Sequence, residues 1–218
     1  MNRKAGSTEE LIRDTYIALM KKKNCMKISV RELAENAHIQ RSTFYRYYDN
    51  INHLITSLEK ELLEEMVFYI PPSDFDIRHI KPLKSIEAWF QWGMENRNTL
   101  TALMGENGDP YFGEKFKEKV CGDINRMMDF EGMPRDELRL FCVELTYSIH
   151  FSLLKFAMQL GKERCPFTAK ELTRLSNYWR VCALKAEQEK KFPVSMAEKR
   201  KEGGIVNGKT GLSDAHDQ

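Results

Sequence analysis

The chain has 218 residues, 42% of them hydrophobic and 11% aromatic, which is enough apolar material to close a core in one large or two small domains. Five cysteines (Cys25, Cys121, Cys142, Cys165, Cys182) are odd in number, scattered and never in a C-x-x-C pair, which argues against both a disulfide framework and a zinc site. No apolar run reaches the roughly 18 residues that span a bilayer, and Met1 to Gly6 lacks the apolar stretch of a secretory signal, so the expected location is cytoplasmic with no membrane partner.

The net charge of +2 is unevenly spread. Residues 1–50 hold ten Lys or Arg against six Asp or Glu, a net of +4, leaving −2 for the remainder. A polyanionic partner is therefore expected at the N-terminal end.

Helical periodicity dominates, with no period-2 strand of useful length, so the expected fold is all-α with about nine helices. The first runs from about Thr8 to Lys22, with Leu11, Ile12, Thr15, Tyr16 and Leu19 on one face. Asn24, after three lysines, reads as a left-handed stop. Ser29 and Glu32 form a capping box that starts a short second helix ending near Ala37. A third spans about Gln40 to Tyr48. Asn50 caps a fourth that carries Leu54, Leu58, Leu62, Met66 and Phe68 to about Ile70.

Pro71-Pro72 breaks the chain, and Pro82 opens a fifth helix bearing Ile86, Trp89, Phe90 and Gly93. Asn96 to Met104 is a short sixth. Asp109-Pro110 caps and opens a seventh to about Met128. Pro134 opens the eighth, which from Leu138 to Leu160 is apolar nearly all round and must be covered on several sides. Gly161 ends it. Thr168 and Glu171 form a second capping box for a ninth helix with Leu172, Leu175, Trp179 and Cys182 at core spacing and Tyr178 and Val181 on an adjacent strip. Residues 188–218, rich in charge and glycine and poor in large apolar groups, read as a disordered tail.

The third helix holds the most telling pattern. Phe44, Tyr45, Tyr47 and Tyr48 fall within five positions beside Arg41 and Arg46. Phe44 and Tyr48 share a face with Ile39 and close against Leu33, Ala34 and the first helix. Arg41, Ser42, Thr43, Tyr45, Arg46 and Tyr47 are left outside, where hydroxyls and guanidinium groups can donate to phosphate oxygens. Two short helices joined through Ala37-His38-Ile39 make a helix-turn-helix whose second helix would enter the major groove.

The run SVRELAENAHIQRSTFYRYYDNINHLI, Ser29 to Ile55, resembles the signature of TetR-family bacterial transcription regulators. It matches at Val30, Arg31, Leu33, Ala34, Ala37, Ile39, Thr43, Phe44, Tyr45, Tyr47, Tyr48 and Leu54. His38 stands where that family has glycine, Gln40 replaces its usual serine cap, and Ile51 replaces a phosphate-contacting lysine. The resemblance implies a DNA-binding domain over 1–55 and a helical dimerisation and effector-sensing domain over 56–187. It implies that Arg41, Ser42 and Arg31 read base edges while Thr43, Tyr45 and Tyr47 hold phosphates, with Arg46 a further candidate.

The resemblance also implies a homodimer through the last two helices on a palindromic operator in double-stranded DNA. A hydrophobic or aromatic small-molecule effector would sit among Trp89, Trp92, Phe112, Phe116, Tyr147, His150 and Phe151. The expected function is a transcriptional repressor released by that effector; the alternative is a ligand-independent regulator acting through a protein partner. An enzyme is disfavoured, since no phosphate loop, nucleophile elbow or H-E-x-x-H occurs, and His38, His53, His79, His150 and His216 show no metal spacing. No cofactor is expected.

Overall fold

A computed structural model of the chain describes residues 7–66, 84–130, 134–161 and 164–188, with backbone alone for Phe130 and 179–188. Among these residues there are nine α-helices, one 3-10 turn and no strand. The chain divides into two units, Met1–Val181 and Cys182–Gln218, and all the packing described below lies in the first. The Pro71-Pro72 break, Phe68, Ile70, Pro82 and residues 189–218 fall outside the described residues.

Helix α1 (Thr8–Met20) begins at a capping box absent from the sequence reading: Ser7 Oγ accepts from the Glu10 amide, and Glu10 Oε2 accepts from the Ser7 amide at 3.0 Å. It ends earlier than expected. Asn24 is not left-handed; its φ is −51°, and its side chain caps the 3-10 turn Cys25–Lys27 by accepting from the Met26 amide. Helix α2 (Val30–Asn36) starts where Ser29 accepts from the Glu32 amide, and Lys23 holds the Glu32 carboxylate at 2.7 Å. Helix α3 (Arg41–Tyr45) is shorter than its apolar pattern implied, and Gln40 caps it without a side-chain hydrogen bond. Asn50 caps α4 (Ile51–Glu65) as expected, accepting from the His53 amide.

Helices α5 (Lys84–Glu95) and α6 (Arg97–Leu103) meet at Asn96, and α7 covers Phe112–Phe130. Helix α8 (Glu137–Leu160) is capped by Asp136, two residues after the proline expected to open it, and Gly161 at φ 78° stops it. Helix α9 (Ala169–Gln188) begins at the expected Thr168–Glu171 box.

One apolar core runs without interruption from Ile12 and Tyr16 of α1 through Leu33 and Phe44 to Trp89, Phe116 and Leu154. The helix-turn-helix is therefore packed into the rest of the bundle rather than tethered to it. α1 lies on α2 and α6, α4 on α7, and α8 against α5 and α7. Leu154 presses so closely on Gly93 that a Cβ there would lie 2.7 Å from its methyl carbons, so glycine is what lets α5 and α8 approach.

On α9, Ala169, Leu172, Thr173 and Ser176 are buried, whereas Leu175, expected in the core, is exposed. The inward face is narrower and more polar than the leucine spacing suggested. The side chains of Trp179, Val181 and Cys182 are outside the described residues. By length and composition α8 could cross a membrane, contrary to the reading of the sequence. It nevertheless buries Arg139, whose guanidinium donates to Asn125 Oδ1 at 3.1 Å and pairs with Asp129 at 2.9 Å, the arrangement of a bundle helix.

Candidate nucleic-acid interface and effector cleft

The turn between α2 and α3 sets how α3 is presented. His38 takes φ 51°, the left-handed conformation that favours glycine, and the Ile39 amide donates back to the Ala34 carbonyl at 3.0 Å. Phe44, fully buried, and Tyr48, 3% exposed, anchor α3 to the core. Tyr48 also does polar work. Its hydroxyl accepts from Arg13 Nε at 2.7 Å and donates to Glu9 Oε1 at 3.0 Å, while Arg13 Nη2 donates to Glu61 of α4 at 2.7 Å. Burial, countered by the Arg13 hydrogen bond, keeps the Tyr48 phenol protonated above its usual range. One cluster thus ties α1, the end of the α3 segment and α4 together.

With that face anchored, Arg41, Ser42, Tyr45 and Arg46 lie exposed on α3 and its C-cap. Tyr45 is 56% exposed although its ring meets Phe44 edge-on at 5.5 Å. Neither Arg41 nor Arg46 has an acidic partner within ion-pair distance among the described residues. Thr43 and Tyr47 are half-buried, and Tyr47 packs on the core. Arg31, on α2, is exposed but lies 3.5 Å from Glu35.

The seven residues expected around an effector do gather, mostly as packing. Trp89, Phe112 and Phe116 are buried, and Trp89 and Phe90 flank His150 at 6.3 and 6.0 Å between ring centroids. Trp92 stacks on Phe116, Phe116 meets Phe151 at 5.6 Å, and Tyr147 stacks on Phe151 at 5.2 Å and 11°. His150 Nδ1 lies 2.7 Å from the Thr146 carbonyl. Tyr147 and Phe151 also line a cleft, a space of about 380 Å³ between α6, the start of α7 and α8.

That cleft shares a residue with a charged cluster that gave no motif. Glu59 of α4 is 3% exposed, and Lys115 of α7 donates to it at 2.7 Å and to Asp109 at 3.0 Å. The other Glu59 oxygen is buried and receives no hydrogen bond. Burial pushes the Glu59 carboxyl up, against the pull of Lys115. Asp109 stays low: burial opposes ionisation, but the Tyr111 amide and Lys115 outweigh it. Asp109 lines the cleft, and two residues before it the Asn107 carbonyl accepts from the Cys25 amide at 2.7 Å. A signal for this cluster existed, since Glu59 falls four residues after Ile55 on the apolar face of α4. Its partners are fifty and more residues away and could not be foreseen.

Anchored helix-turn-helix, long α4 and helical bundle together define a helical DNA-binding regulator fold. The chain has the fold of TetR-type transcriptional regulators. It is similar to a TetR transcriptional regulator from Streptococcus agalactiae 2603V at 21% identity, over 79% of this chain and 93% of that one, with a TM-score of 0.52. It is similar also to the MbdR regulator from Azoarcus sp. CIB (14% identity, 80% and 97% of the two chains, TM-score 0.51). The dihydroxyacetone kinase operon activator DhaS matches at 16% identity over 83% and 95%, with a TM-score of 0.50. No family model and no curated protein matches the chain.

Proposed function

We propose that the protein is a cytoplasmic, non-enzymatic transcriptional regulator that binds a palindromic operator as a homodimer through α3 and is released by a small molecule, acting as a repressor. The observation that carries this is the two-sided α3 segment: Phe44 and Tyr48 are sealed in the core, while Arg41, Ser42, Tyr45 and Arg46 face solvent, the arginines without an acidic partner among the described residues. An exposed arginine can pair with guanine O6 and N7, and exposed hydroxyls with phosphate. In this reading Arg41 and Ser42 meet base edges, Tyr45 and Arg46 the backbone, with Thr43 and Tyr47 at the margin. Arg31 would exchange Glu35 for DNA.

One short helix reads few base pairs, so two copies are needed. The exposed side of α8 offers Phe141, Leu145 and Phe156, with Ser148 and Ser152 between them, and α9 adds Leu175 and Tyr178. Apolar ends around small central residues suit a second copy of the same helices. The domain division in this reading is 1–55 for DNA and 56–187 for pairing and sensing.

The test is selection of bound fragments from a random duplex pool. The expected product is an inverted repeat with half-site centres about 34–36 Å apart. A pool that emerges without any enriched sequence would overturn the reading.

A further inference from the structure

We infer that the cleft between α6, the start of α7 and α8 binds a small carboxylate with an apolar body, the body lying on Tyr147 and Phe151 and the carboxylate meeting Lys155. At about 380 Å³ the space is near the lower end of small-ligand sites, about 300–1000 Å³, so it suits a compact molecule rather than a bulky conjugate. Leu100, Met104, Pro110, Phe151 and Met158 supply apolar wall. The stacked Tyr147 and Phe151 rings form a flat side backed by Phe116.

Charge decides the class of ligand. Asp109 also lines the cleft, but its carboxylate is already taken by Lys115 and by the Tyr111 amide at 3.0 Å. Lys155, on the opposite wall, has no acidic partner among the described residues, and Gln159 one turn away can donate beside it. A cation would meet a neutralised aspartate and a repelling lysine. An anion meets Lys155, a charge without an acidic partner among the described residues.

This deepens the proposed function and rests on it only for the consequence of binding. The cleft wall at Asp109 also holds Lys115 against Glu59 of α4, and α6 seats α1, so an occupied cleft bears on both helices that support the helix-turn-helix.

The probes are 3-phenylpropionate and octanoate, each against its primary amide, titrated into the full chain by calorimetry without DNA. Both carboxylates are expected to bind about two- to fivefold more tightly than their amides, the gain that a solvent-exposed ion pair gives. Lys155→Met, an exposed substitution, should bring the carboxylates down to the level of the amides and leave the amides unchanged. Equal binding of acid and amide, indifference to Lys155→Met, or no heat from any probe would each overturn the inference. DNA affinity is then measured separately with the same probes. Charge-selective binding without any change in DNA affinity would leave the site standing and remove its regulatory consequence.

Discussion

Lys115 of α7 places its ammonium 2.7 Å from the buried carboxylate of Glu59 on α4. The pair pins α4, the helix that follows the helix-turn-helix, to the edge of the cleft that Asp109 lines. Removing the lysine leaves an uncompensated carboxylate, which costs about 3–5 kcal/mol where a pair is fully buried. Lys115 is 44% exposed, so solvent screening lowers the expected cost of Lys115→Met to about 1–3 kcal/mol. Glu59→Gln added to it should recover part of that loss, as read by urea denaturation of both single variants and the double. Additive losses would show that the two side chains are not coupled.

Tyr48 is predicted to matter through its hydroxyl as well as its ring. Tyr48→Phe keeps the packing against Phe44 but deprives Arg13 and Glu9 of a shared partner, for an expected loss of about 1–2 kcal/mol in chemical denaturation. A stability equal to that of the parent chain would mean that water replaces the phenol without cost.

Acid should weaken the α7–α8 junction. Asp129 is held down at about 2 by its hydrogen bonds to Arg135 and then Arg139, well under the usual carboxylate range. A depressed folded pKa stabilises above the unfolded value of 3.8, and that contribution disappears as pH falls from there through about 2. Thermal melts across this window should decline for the parent and decline less for Asp129→Asn. Glu59 has the opposite sign: its raised pKa favours the fold at low pH, so Glu59→Gln should make the acid decline steeper.

The exposed ridge on α8 predicts self-association. Phe141 is 75% exposed in the single chain, so Phe141→Asp should leave the subunit folded while shifting sedimentation from dimer to monomer. DNA affinity should fall with it. A parent chain that sediments as a monomer at all concentrations would remove the proposed interface.

The helical class, the order of the helices and the inward face of α3 were legible because each depends on local chemistry. Ser29, Asn50 and Thr168 cap through their own neighbours, and Phe44 and Tyr48 share a face by spacing alone. His38 stood out only through the resemblance, which has glycine at that position, and its left-handed φ is what a glycine there would serve. Other features required the third dimension. Leu175 has core spacing on α9 yet faces out, because spacing defines a stripe without saying what covers it. The rings from Trp89 to Phe151 touch one another in the structure, but whether a ring fills a core or lines a space depends on packing between helices far apart in the chain. The joining of Glu59 to Lys115 arises only when α4 and α7 come together, and the place of Lys155 in the cleft only when α6, α7 and α8 do.

The central claim is that the solvent side of α3 reads DNA, and titration of the selected duplex at several salt concentrations with three proteins tests it most directly. The parent should bind with an affinity that falls steeply as salt rises. Tyr45→Phe should weaken binding to matched and mismatched duplexes alike, whereas Arg41→Ala should lose about 1–3 kcal/mol of discrimination at particular base pairs. Binding that ignores salt, or that survives both substitutions with its sequence preference intact, would contradict the account.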